Sequence, residues 1–255
     1  MTGALARTNP VTRLLVAIGF AIVLVLSVDV VSAGTALVLG GALLLVAGVV
    51  PRGLVLRMVP VAIVAPIAGL GIALYGVASG AVLLDWGFVH VTEGSVQLGL
   101  ATFLRVLALG VCGTGLLGGI DATRLADGLA QLLHLPSRFV LGALAAFRLF
   151  GLLGQDWRAL TLARRARGVA DRGRLRRFAG QAFALLVLSV RRGGVLATAM
   201  EARGFGGQGG RTWARPSRLG PPDAVLVVAA AVVLGVAVSA SLLTGSWHPV
   251  AVIGR

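Results

Sequence analysis

Four apolar stretches occupy most of the first half of the chain, at residues 14–31, 33–50, 59–84 and 94–117, and a fifth lies at residues 224–243. Each is about the 17–25 residues that a helix needs to cross a bilayer. The sequence therefore predicts an all-α polytopic membrane protein with five spanning helices. Its composition agrees: 57% of residues are hydrophobic and only 13% are charged, against about 25% charged in soluble domains. No small-residue cleavage site follows the first stretch, which reads as a retained span. The first two stretches have almost nothing between them and read as a tight helical hairpin. The third contains Pro60 and Pro66, which should bend it.

Basic residues set the orientation. Arg7 and Arg13 precede the first stretch, and Arg52 and Arg57 lie between the second and third. The turns near Asp29 and from Asp85 to Glu93 carry no arginine. By the positive-inside rule the N-terminus is cytoplasmic, and four crossings return the chain to the cytoplasm near Gly118. Residues 121–222 then hold 17 arginines and five acids, a net charge of +12 out of +14 for the whole chain. The expected division is 1–118 for four membrane helices, 119–222 for a cytoplasmic helical domain, and 223–255 for the fifth span with a short outer tail.

Two apolar runs inside the basic segment, 139–153 and 178–190, resemble spans. Sending both across the membrane would put residues 164–177, with seven arginines and one acid, on the outside, which the same rule disfavours. They read instead as amphipathic helices. Phe139, Ala143, Ala146, Phe150, Leu153, Trp157 and Leu160 alternate at spacings of four and three, the pattern of one packed helical face. Asp121 is a candidate N-cap for a helix reaching His134. Pro136-Ser137 opens a second helix to Arg167, about 45 Å long, and Asp171 or Gly173 starts a third that ends at Arg203.

The second and third of these helices end on the same tripeptide. Ala166-Arg167-Gly168 and Ala202-Arg203-Gly204 stand 36 residues apart. A basic residue is favoured at the negative end of a helix, and a glycine beyond it can adopt the left-handed conformation that closes the last turn. Each copy should therefore present a guanidinium at a helix tip. Arg148, Arg164, Glu201, Phe150 and Trp157 are the candidate supporting residues. Arg105 is the one charge well inside a predicted span, where it costs about 2.5–3.5 kcal/mol at the centre of a lone helix. It should face protein, either as a structural arginine bound to helix carbonyls or snorkelling toward an interface, or in contact with a membrane partner. The lone Cys112 and the scattered His90, His134 and His248 offer no metal site. The chain has no lysine, so it has no phosphate-binding loop of the kind that hydrolyses ATP.

Several of these segments together resemble a known family. Asn9-Pro10-Val11-Thr12-Arg13-Leu14-Leu15, Thr92-Glu93-Gly94, Ala146-Phe147-Arg148 and the two Ala-Arg-Gly copies, the second preceded by Ala199-Met200-Glu201, look like the transmembrane T component of energy-coupling factor transporters, the EcfT family with its CbiQ-like and BioN-like members. The resemblance implies a non-catalytic subunit of a bacterial plasma-membrane importer for a vitamin or a transition-metal ion. It implies that Arg167 and Arg203 dock on two cytoplasmic ATPase subunits, which bind the ATP and Mg, and that the membrane helices hold a separate substrate-binding S component. A lipid-headgroup transferase is the enzymatic rival, suggested by Asp127-Gly128. Such enzymes bind a metal through several carboxylates at helical spacing, whereas Asp121 and Asp127 are six residues apart. The basic segment is accounted for by cytoplasmic placement beside anionic lipid rather than by nucleic acid.

Overall fold

A computed structural model describes residues 4–27, 29–48, 51–76, 81–86, 89–168, 173–207 and 212–245. It contains eight α-helices among these residues: α1 (Pro10–Leu26), α2 (Val30–Val46), α3 (Pro51–Tyr75), α4 (Glu93–Leu117), α5 (Ala122–Gln131), α6 (Ser137–Ala166), α7 (Arg174–Ala202) and α8 (Pro221–Leu243). The chain divides into two compact units, residues 1–121 with 218–255 and residues 122–217. The protein is an all-α polytopic membrane protein.

Five helices are long and apolar enough to cross a membrane: α3 from Val55, α4, α6, α7 and α8. The number equals that expected from the sequence, but the membership differs. Helices α1 and α2 are apolar but only 17 residues each, while α6 and α7 meet the criterion by length and composition.

The third apolar stretch is shorter than its composition suggested. Helix α3 ends at Tyr75, with Pro60 and Pro66 inside it. The chain then forms a two-stranded antiparallel hairpin, β1 (Val82–Trp86) and β2 (Val89–Thr92), with Leu84 opposite Val91 and Asp85 opposite His90. Residues 82–84 therefore belong to a strand. Valine and leucine suit both structures, so an apolar run does not reveal where helix gives way to hairpin.

In the first unit, α4 packs against α1, α2 and α3 through small residues. A Cβ on Gly99 would lie 2.6 Å from the Gly69 carbonyl and 2.8 Å from Ala73 Cβ, and one on Gly40 would meet Cys112 Sγ at 2.8 Å. Such close approach is how helices associate in lipid, where burial from water gives little drive. Phe20 and Leu24 from α1, Ala36 and Leu44 from α2, and Ala230 and Ala237 from α8 complete the buried core.

In the second unit Ala126 and Ala130 of α5 pack on Val140 of α6, with Leu144 and Trp213 beside them. Gln131 pins the segment before α8: its amide donates to the Arg215 carbonyl (2.8 Å) and accepts from the Ser217 amide (2.8 Å). The expected stripe on α6 is split. Leu153, Trp157 and Leu160 are half-buried, whereas Phe139 and Phe150 are 78% and 74% exposed. The first half of α6 instead turns Val140 and Leu144 toward α5.

Replacing Gly99 by valine should cost about 1–3 kcal/mol through overpacking and lower the melting temperature in detergent. Gly71→Ala has no neighbour within 4 Å of the new Cβ and should leave melting unchanged or raise it slightly.

Candidate functional site

The two Ala-Arg-Gly copies form the predicted helix ends. At the first, α6 closes with Arg167 as C-cap; the Arg167 amide donates to the Ala163 carbonyl (3.2 Å), and Gly168 has φ +66° with its amide on the Arg165 carbonyl (3.0 Å). Ala166, Arg167 and Gly168 are all exposed. At the second, Gly204 has φ +77°, its amide donates to the Glu201 carbonyl (2.9 Å) and the Phe205 amide donates to the Met200 carbonyl (2.9 Å). This is the complete two-bond motif that ends a helix on a left-handed glycine. Glu201, Ala202, Arg203 and Gly204 are exposed.

Helices α6 and α7 lie against each other and are cross-braced behind these tips. Arg164, though in the last turn of α6, points across to α7, donating to the carbonyls of Gly180 (2.9 Å) and Arg177 (3.5 Å). Gly180 leaves room for it, since a Cβ there would lie 3.1 Å from the guanidinium. Asp156 receives both Nη groups of Arg192, Nη2 to Oδ1 at 3.0 Å and Nη1 to Oδ2 closer still. Gln181, 1% exposed, donates to Thr161 Oγ1 at 3.1 Å. Trp157 and Phe178 meet in a tilted arrangement, with ring centres 5.5 Å apart and planes at 56°. Arg148 donates to Thr123 Oγ1 (3.1 Å) and so ties α6 to α5.

Of the candidate supports, Trp157, Arg164 and Arg148 join helices, whereas Phe150 faces outward. Asp156, Arg192 and Gln181 were missed from the sequence. The available signal was that Asp156 is the lone acid of α6 in a strongly basic segment. Its partner 36 residues away could not be read from spacing.

The N-terminal motif and Arg105 act in the first unit. Asn9 caps α1 through its side chain, which accepts from the Val11 amide (3.0 Å), and its own amide donates to Asp223 Oδ1 (2.6 Å). Asp223 also accepts from the Gly220 amide through Oδ2 (2.8 Å), so one buried carboxylate serves the N-termini of α1 and α8. Arg13 donates to the Gly118 carbonyl at the end of α4 (3.0 Å). Arg105 donates to the Ser27 carbonyl where α1 ends. Asp29 begins α2 there and accepts from the Ser32 amide (2.6 Å) and hydroxyl (2.5 Å).

These contacts also measure depth. From Arg13 to Ser27 and from Gly118 back to Arg105, α1 and α4 run alongside for about 20 Å, and α4 continues about 18 Å past the α1–α2 corner to Glu93. The corner with Ser27 and Asp29 is thus level with the middle of α4. Arg105 is directed at the carbonyl that ends α1, one of the alternatives open from the sequence.

Asp127 lies on α5 without neighbouring ligands; among the described residues no group of three or more His, Cys, Asp or Glu could hold a metal ion. The transferase reading finds no support here.

The family described as cobalt transport protein, CbiQ, matches residues 2–213. The chain belongs to this family, that of the T components of energy-coupling factor transporters. The match takes in α1 to α7 and both Ala-Arg-Gly tips and stops before α8. No curated protein matches the chain.

Arg105→Leu should leave the α1–α2 corner without its cation and destabilise the chain by about 3 kcal/mol, with Arg105→Lys intermediate; an unchanged melting curve in detergent for the leucine variant would contradict this. A double-mutant cycle on Asp156→Ala and Arg192→Ala should give a coupling of about 1–3 kcal/mol, read from the same melts.

Proposed function

We propose that this chain is the membrane coupling subunit of an ATP-driven importer of the energy-coupling factor type. Two cytoplasmic ATPase subunits bind ATP and Mg and supply the energy, and a separate membrane S component binds the solute, a vitamin or a transition-metal ion. The single observation that carries the proposal is the pair of exposed arginines, Arg167 and Arg203, each held at a helix end closed by a left-handed glycine. The chain contains no phosphate-binding loop and no lysine to build one, so in this reading it transmits work rather than performing hydrolysis.

The same reading puts α5–α7 in the cytoplasm together with the N-terminus, in a bacterial plasma membrane. The length of α6 and α7 would allow a crossing, but the seven arginines of residues 164–177 would then be translocated, against the strong bias of short basic loops to remain inside. An arginine offers a planar fork of donors that fixes direction as well as distance when it meets a carboxylate. A docked tip would therefore convey rotation of an ATPase into α6 or α7, and the Asp156–Arg192 and Trp157–Phe178 contacts would pass it between them.

Co-purification and transport in proteoliposomes test the proposal. Arg167→Ala or Arg203→Ala should each weaken docking by about 2–5 kcal/mol by leaving a partner carboxylate unpaired, and the double variant should release both ATPases. Lysine at either position should keep more of the complex than alanine yet lower transport. A double-alanine variant that retains both ATPases and normal uptake would refute the coupling role.

A further inference from the structure

The first half of α6, the last turns of α7 and the loop after it wall a groove of about 830 Å³. Of the two tips, Arg203 and Gly204 are among the residues lining this groove and Arg167 is not. Arg138, Arg148 and Arg203 contribute three guanidinium groups, Ser137 and Thr212 two hydroxyls, and no acid is among the described lining residues. Arg138 is oriented by a bond to the Gly206 carbonyl (2.5 Å) and Arg148 by its bond to Thr123. Each uses one of five donors. Cations of one sign around a concave surface concentrate anions there.

The rest of the lining is apolar and includes Leu149, Leu152, Leu196 and Met200. A small inorganic anion would satisfy the arginines but leave these side chains in water. On the outer face of α6, Phe139, Phe147 and Phe150 are 66–78% exposed, so the helix that supplies Arg138 and Arg148 also carries large aromatics suited to a bilayer interface. A lipid surface accommodates both features; an acidic protein segment accommodates only the groove. Basic pockets between helices are a recurrent site for phospholipid headgroups.

We propose that this groove seats one anionic phospholipid, its phosphate on Arg138 and Arg148 with Arg203 at the α7 end, and its acyl carbons along Leu149, Leu152 and Met200. The inference does not depend on the coupling function. It adds to it a consequence: Arg203, at the second tip, borders the lipid site.

The test uses the purified, delipidated full chain without any ATPase. Phosphatidylglycerol, phosphatidylcholine and inorganic phosphate are titrated separately, and lipid adducts are counted by native mass spectrometry. The wild type should hold one phosphatidylglycerol and discriminate against phosphatidylcholine. Arg138→Gln with Arg148→Gln should weaken that binding at least about tenfold. Leu149→Trp, which keeps every charge but fills the groove, should weaken it as well. Arg158→Gln with Arg165→Gln removes the same charge elsewhere and should not. Matching melting curves establish that the variants are folded, and Arg138→Gln alone substitutes if the double variant is not. Undiminished phosphatidylglycerol binding in both groove variants would overturn the proposal, as would equal loss in the charge-matched control. Competition by millimolar phosphate would mark a free-anion site instead. Since the assay contains no ATPase, its failure leaves the docking role of Arg167 and Arg203 untouched.

Discussion

The first unit depends on how closely other helices can approach α4. In hydrocarbon, burying a leucine against another helix gains little over burying it in lipid, so association rests on tight packing and on polar contacts that lipid cannot replace. Helix α4 provides both. Gly99 and Gly69 bring its backbone against α3, and Cys112 fills the space left by Gly40 on α2. Its polar contacts stand along the same helix: Arg13 meets its last carbonyl at Gly118, and Arg105 reaches the end of α1. A cation at a helix C-terminus also faces the negative end of the dipole, and both arginines use that arrangement, one on α4 and one on α1. Two otherwise costly charges thereby set the register of α1 against α4.

Asp223 works in the opposite sense at the other kind of helix end. Its carboxylate accepts amide protons at the starts of α1 and α8, elements more than 200 residues apart. Helix N-termini present unpaired amides and partial positive charge, so a single buried acid satisfies two of them. This joins the two ends of the first unit, which are separated in sequence by the segment inserted between α4 and α8. The α1–α2 corner remains about 18 Å short of the start of α4, which brings Asp29, Ser27 and Ser32 level with the middle of that helix. Their mutual hydrogen bonds and the nearby guanidinium make that depth tolerable.

Helix positions were legible in the sequence where backbone chemistry is local. Pro136 before α6 and the glycines after Arg167 and Arg203 each mark a terminus to within a residue or so, because φ restriction and left-handed freedom act at the residue itself, whereas the first apolar stretch was read from residue 14 although α1 begins at Pro10. The apolar runs placed α4 and α8 for the same reason. What was not legible depended on partners distant in sequence. Residues 82–84 continue an apolar run yet pair as a strand with the segment before α4. On α6, the spacing of Phe139 and Phe150 matched a helical face, but Val140 and Leu144 are the residues that α5 covers. Asp156 and Arg192 carried no spacing signal, since their meeting depends on how the α6–α7 hairpin turns, and residues 169–172 of that turn, Asp171 among them, lie outside the described residues.

A hairpin can transmit force between its two tips only if its arms resist sliding, and the bracing of α6 on α7 is suited to that. The Asp156–Arg192 pair has two parallel bonds, so it resists twist as well as separation. Arg164 crosses one turn from the first tip, using a gap made by Gly180, and Gln181 occupies a buried position where loss of its bond to Thr161 would leave a polar group unsatisfied. The Arg164 and Gln181 contacts lie toward the Arg167 end, and the Asp156–Arg192 pair lies about midway between the two tips. At the Arg203 end, α7 faces the first half of α6 across a groove rather than a packed seam. Under the coupling reading, a push at Arg167 would pass promptly into both helices, whereas a push at Arg203 would first act on whatever fills the groove. Under that reading the two sequence-identical tripeptides would be mechanically unequal, because only the second borders the groove.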